Sequence, residues 1–175
     1  ADLDHNGETS ISETEAYWTG YLSLALETNL REMGHDVISI SDGSYQERHS
    51  RVNEYTARYN GKACYFALHF NAGGGSYGAM FYDYRSTAGS ILADKIAESM
   101  ERELREISTV KKIPASPADW TKNAYYTIKG VGAAVAICSE PLFIDNDEHQ
   151  KLLTYDGISK LAWAMAKGID QWSRS

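Results

Sequence analysis

Four polar side chains stand beside apolar segments of this sequence, and their types are those of hydrolytic chemistry. His5 follows the short segment Ala1 to Asp4, Glu15 begins a helical pattern, His69 ends the run ACYFALH, and Glu140 follows AAVAICS. In sheets flanked by helices, ligands bind beyond the carboxyl ends of the strands, so polar residues at those ends are the first to consider. Two histidines and one carboxylate form a catalytic zinc shell that leaves a fourth position open. Zinc lowers the pKa of water and polarises a carbonyl, while a carboxylate outside the shell moves the proton. His5, Glu15 and His69 fit the first role, for a single Zn2+, and Glu140 the second. Glu13 rivals Glu15 at two residues' distance, and Glu15 can also be read as a first-turn glutamate favoured by the helix dipole.

The elements that must position these residues are legible in the hydrophobic pattern. Trp18, Leu22, Ala25, Leu26, Leu30 and Met33 recur at helical spacing from Glu13 to Met33, with Ser12 as N-cap and Gly34 as the stop. The segment DVISI, Asp36 to Ile40, reads as a strand closed by the turn signal Asp42-Gly43. Glu47 to Tyr59 reads as a helix ended by Asn60-Gly61, and Ala63 to His69 as a strand covered on both faces. A loop of three glycines, Gly73 to Gly75, leads to a strand from Ala79 to Tyr84. A second amphipathic helix carries Ile91, Leu92, Ile96, Met100, Leu104 and Ile107. Residues 108 to 124 read mostly as loop, Ala133 to Cys138 as a buried strand, and about His149 to Trp172 as the closing helix.

Alternation of strand-like and helix-like segments predicts an α/β fold, helices packed on both faces of a mainly parallel sheet. The chain has 175 residues, 43% of them hydrophobic and 23% charged, as expected of one globular domain over residues 1–175. The net charge of -7 argues against nucleic acid as a partner. No apolar run is long enough for membrane insertion, and the N-terminus lacks the pattern of a signal peptide. Cys64 and Cys138 sit in apolar runs and read as buried free thiols, and His35, His49 and His149 as surface residues.

Four stretches resemble the zinc N-acetylmuramoyl-L-alanine amidases of the amidase-3 type, found in autolysins and phage endolysins. They are Asp4-His5-Asn6-Gly7; Glu15 ahead of LREMGHDV; Leu68-His69-Phe70-Asn71-Ala72-Gly73-Gly74; and Cys138-Ser139-Glu140-Pro141-Leu142-Phe143-Ile144-Asp145-Asn146. Arg48 or Arg51 with Asn53 is similar to the arginine and asparagine of the helix before the third motif. The family normally opens with a full apolar strand, of which only Ala1 to Asp4 is present here.

The resemblance implies a twisted, mostly parallel sheet of about six strands. It also implies that His5, Glu15 and His69 bind zinc and that Glu140 is the catalytic acid/base. The activity implied is hydrolysis of the amide between N-acetylmuramic acid and L-alanine in peptidoglycan. Asn71 and Asn146 are read as bonding to backbone or substrate near the metal, and Arg51 as holding a carboxylate nearby. The phage-like Glu140 to Asn146 ending favours an endolysin that acts at the cell wall, with a cell-wall-binding domain elsewhere in a longer protein. Two rival readings are a zinc peptidase cutting within the stem peptide and a non-catalytic wall-binding module. The twelve tyrosines carry no assigned role, and the oligomeric state is open.

Overall fold

The structure is a computed structural model that describes residues 11–59, 62–132 and 134–175. His5 and the short expected segment before it lie outside the described residues.

Helix α1 (Ile11–Glu32) buries Leu22, Leu26 and Leu30, the stripe expected of it. It begins at Ile11, so Ser12 lies within the helix rather than at its cap. Its end follows from Gly34, whose φ of 91° admits a left-handed turn that a side chain resists. There the amide of His35 donates to the carbonyl of Leu30 and that of Gly34 to Arg31, each at 3.0 Å, closing the helix with a Schellman motif.

Residues 35–40 then run without strand pairing. Among the described residues the expected DVISI strand finds no neighbouring strand, and side chains of α1 hold this segment instead. Arg31 donates to the carbonyl of Val37 at 2.7 Å, and Ser39 to Glu27 at 2.5 Å. Helix α2 (Tyr45–Thr56) opens with a capping box in which Ser44 and Glu47 exchange hydrogen bonds.

Strands β1 (Cys64–Leu68) and β2 (Gly78–Asp83), helix α3 (Thr87–Glu103), strand β3 (Val110–Ala115), helix α4 (Lys122–Ile128) and strand β4 (Val135–Glu140) follow. The closing helix is split into α5 (Asp147–Gln150) and α6 (Tyr155–Ser173). Each of the two carries its own cap, Asn146 and Thr154.

Among the described residues the sheet has four strands in the order β1-β4-β2-β3. β1 pairs with β4 and β2 with β3 in parallel, while β2 and β4 run antiparallel. The expectation of about six mostly parallel strands is therefore corrected to a smaller mixed sheet. β3 falls where a loop was expected, since Lys111, Lys112 and Pro114 break the apolar pattern. All three are tolerated because β3 lies at the sheet edge.

Helices cover both faces, as expected. Side chains alternate along β1 and β4: Cys64, Phe66 and Leu68 of β1, with Val135 and Ile137 of β4, meet the large core under α1, α3 and α6. Tyr65, Ala67, Ala136 and Cys138 face a smaller core with Ala124 and Ile128 of α4. α3 and α6 approach closely at Gly168, where a Cβ would lie 2.5 Å from the Cα of Ile96. Both cysteines are free, and burial pushes their thiols up to about 12. Among the described residues, no helix is long and apolar enough to cross a membrane.

Candidate active site

The register of β1 and β4 brings the site together. Leu68 pairs with Ser139, so the following residues, His69 and Glu140, stand side by side where the two parallel strands end. Alternation points both away from the large core and toward the α2 face. Pairing continues past the strands: the amide of His69 donates to Ser139 and that of Asn71 to Leu142, both at 2.9 Å.

Glu15, from the first turns of α1, reaches this end of the sheet. Its Oε1 lies 3.2 Å from Nδ1 of His69 and accepts from the amide of Phe70 at 3.1 Å. On the other side of the imidazole, Nε2 lies 3.1 Å from the hydroxyl of Tyr45. Both ring nitrogens are thus engaged, which fixes the plane of the ring. The Glu15 and His69 side chains remain partly open to solvent, at 29% and 35%.

Glu140 is more enclosed. Burial holds its carboxyl above the usual range; nearby His69 opposes this, Glu15 reinforces it, and a hydrogen bond with Asn71 opposes it. A carboxylate raised in this way is a better proton acceptor near neutral pH, as a general base requires.

The spacing of two of the expected donors is compatible with one shared ion. Two ligand atoms each about 2.0–2.1 Å from a tetrahedral ion stand roughly 3.3 Å apart, and Oε1 of Glu15 and Nδ1 of His69 are 3.2 Å apart. Among the described residues no three His, Cys, Asp or Glu side chains form a metal-holding group. The structure brings Glu15 against His69 and sets Glu140 beside His69 at the strand ends, while the expected third ligand, His5, is outside the described residues.

Arg51 departs from its expected role. Arg51 forms two hydrogen bonds with the exposed Asp42, at 2.7 and 3.1 Å, rather than with a carboxylate of the site. Asn146 caps α5 by accepting from the amides of Glu148 and His149. Asp145 accepts from the amides of Gly73 and Gly74 at 2.7 and 3.0 Å, tying the glycine loop to the segment after β4.

His49 and His149 are buried rather than on the surface, and His35 is half-buried against Asp170 at 2.9 Å. Each is engaged through a ring nitrogen: His49 Nε2 donates to the carbonyl of Thr127 at 2.7 Å, and His149 Nδ1 accepts from the amide of Phe143 at 2.9 Å. Sequence reasoning gave no role to Tyr45. Its place at the first turn of α2, one residue after a capping serine, was the available signal.

An imidazole and a carboxylate meeting at a strand end, with a buried carboxylate beside them, define a hydrolase-type site on an α/β sheet. The profile of the N-acetylmuramoyl-L-alanine amidase family, amidase-3 type, matches residues 4–171, and the chain belongs to that family as an amidase catalytic domain. No curated protein matches it.

Solved structures show the same fold. Cwp6 from Clostridium difficile has a TM-score of 0.74 at 21% identity, covering 98% of this chain and 26% of that one. An N-acetylmuramoyl-L-alanine amidase from Clostridium difficile 630 has 0.73 at 14%, covering 100% and 89%. The catalytic domain of the CD27L endolysin targeting Clostridia difficile has 0.62 at 22%, covering 89% and 82%. This chain spans about a quarter of the length of the Cwp6 chain and most of the other two.

Proposed function

We propose that the chain is a single catalytic domain that hydrolyses the amide between N-acetylmuramic acid and L-alanine in bacterial peptidoglycan with one zinc ion. The observation that carries this reading is the 3.2 Å approach of Glu15 to His69 at the strand end that also bears Glu140. Glu15 and His69, with His5, would hold the ion. When bound, zinc supplies a Lewis acid that acidifies water and polarises the scissile carbonyl.

The remaining chemistry belongs to the chain. Glu140 accepts the proton of the attacking water and returns it to the departing L-alanine amine, and its enclosure keeps that proton from bulk solvent. Tyr45 sets the imidazole of His69. The place of action is the cell wall. A further wall-binding domain in a longer protein agrees with the small share of Cwp6 that this chain covers.

The test is digestion of purified peptidoglycan followed by mass spectrometry. Glycan strands freed of intact stem peptides, with release abolished by a chelator and restored by zinc, support the amidase. Cuts within the stem peptide, or full activity after chelation, overturn it.

A further inference from the structure

The ladder that joins β1 to β4 runs on past both strands. The arm Pro141 to Ile144, which follows Glu140, pairs in parallel with Asn71. The amide of Asn71 donates to the carbonyl of Leu142, and that of Ile144 to the carbonyl of Asn71, both at 2.9 Å. In a parallel pair this turns the N–H and C=O of Phe143 to the opposite side. β2 does not reach them: it begins at Gly78, and its pairing with β4 ends where Ala79 meets Glu140. The arm is buried throughout, and a buried backbone donor left unpaired is costly.

Two residues further along supply the partners. The amide of Asn146 donates to the carbonyl of Phe143 at 3.2 Å, and the amide of Phe143 donates to Nδ1 of His149 at 2.9 Å. His149, only 1% exposed, thus puts a ring nitrogen where another strand would put a carbonyl oxygen. What it holds bears on the site twice. Glu140 lies three residues back along the arm, and the Phe143 ring packs on the glycine loop so closely that a Cβ on Gly75 would fall 2.3 Å from its Cζ.

Only the neutral imidazole can do this. With its proton on Nε2 the ring accepts at Nδ1, whereas the doubly protonated ring donates at both nitrogens and would meet the Phe143 N–H donor to donor. Burial holds the pKa of His149 below its ordinary value, opposed by Glu148, which is itself paired with Lys151 at 2.6 Å. From the arm the imidazole meets the uncharged ring of Phe143, 6.3 Å away between centres, while the carboxylate of Asp145 is turned to Gly73 and Gly74.

We propose that His149 is a positioning residue for Glu140: its neutral imidazole stands in for a strand carbonyl at Phe143 and so fixes the arm that sets the proton-carrying carboxylate beside His69. The proposal rests on the amidase reading for the role of Glu140.

The test compares variants on soluble peptidoglycan fragments. His149→Ala should lower kcat by about 10- to 100-fold with KM and zinc content unchanged. His149→Asn, whose Oδ1 stands near the place of Nδ1, should restore most of that loss. Wild-type kcat should also fall through an acid step that His149→Asn lacks, a difference that lost packing would not produce. Wild-type kcat in His149→Ala, or no recovery in His149→Asn, overturns the proposal.

NMR of the wild-type protein needs neither activity nor a folded alanine variant. As pH is lowered, the Phe143 amide should lose its exchange protection in step with protonation of the His149 ring, and the Glu140 amide resonance should move with it. Those changes without cleavage at any pH would sink the amidase reading and leave the anchoring of the arm standing. A Phe143 amide indifferent to the state of the His149 ring overturns the proposal.

Discussion

Tyr45 holds His69 from the side opposite Glu15, its hydroxyl 3.1 Å from Nε2 while Nδ1 faces the carboxylate. Partners that fix the second nitrogen of a ligating histidine change metal affinity by about 10- to 100-fold. Tyr45→Phe should weaken zinc binding by that order without altering the fold. Chelator competition and circular dichroism check this, and unchanged zinc affinity would remove Tyr45 from the site.

Glu140 and the proposed ligand pair, Glu15 and His69, should separate in their effects. Glu140→Gln is expected to lower kcat by about 10²–10⁴ while zinc stoichiometry stays at that of the wild type. Glu15→Ala or His69→Ala should instead lose bound zinc along with activity. Metal analysis of the three purified variants distinguishes the roles.

His149 predicts how stability varies with pH. Its Nδ1 accepts from the buried amide of Phe143, and burial holds its pKa below the ordinary value of 6.5. The unfolded chain therefore takes up this proton more readily than the folded one. The contribution is intact above about pH 6.5 and is lost as pH falls through the lower folded value.

His149→Asn, which keeps an acceptor near the same place without titrating, should flatten that part of the profile. His149→Ala leaves the Phe143 amide unbonded and should cost about 1–3 kcal/mol at neutral pH. Denaturant titrations between pH 5 and about pH 8 measure both.

Gly168 is a case where helix propensity points the wrong way. Replacing a helical glycine by alanine ordinarily adds about 1 kcal/mol of stability. Here the new methyl group would meet the Cα of Ile96 at 2.5 Å and the carbonyl oxygen of Lys95 at 2.7 Å. Backbone does not yield as a side chain does, and forced overpacking typically costs about 1–3 kcal/mol. Gly168→Ala should therefore lower Tm, which calorimetry reads directly.

Much of this was written into local pattern. The stripes on α1, α3 and α6 and the apolar runs of β1 and β4 marked those elements, because each buries a continuous face. His69, Glu15 and Glu140 were legible because they interrupt or border those runs. What was hidden depended on neighbours distant in sequence. The DVISI segment has strand-forming residues but, among the described residues, no strand to pair with, and β3 carries lysines and a proline that only an edge accepts. His149 looks polar in sequence, yet the cap at Asn146 turns it inward. Tyr45 could not be linked to His69 without the packing of α2 on the sheet.

The antiparallel placement of β2 against β4 has a consequence for access to the site. Because β4 lies between β1 and β2, the chain that leaves β1 at His69 and enters β2 at Gly78 must bridge the end of β4 that carries Glu140. One short arch, anchored at its glycines by Asp145, thus crosses the strand end that carries Glu140. Lengthening or trimming that arch would reshape the doorway while leaving every strand pairing beneath it intact.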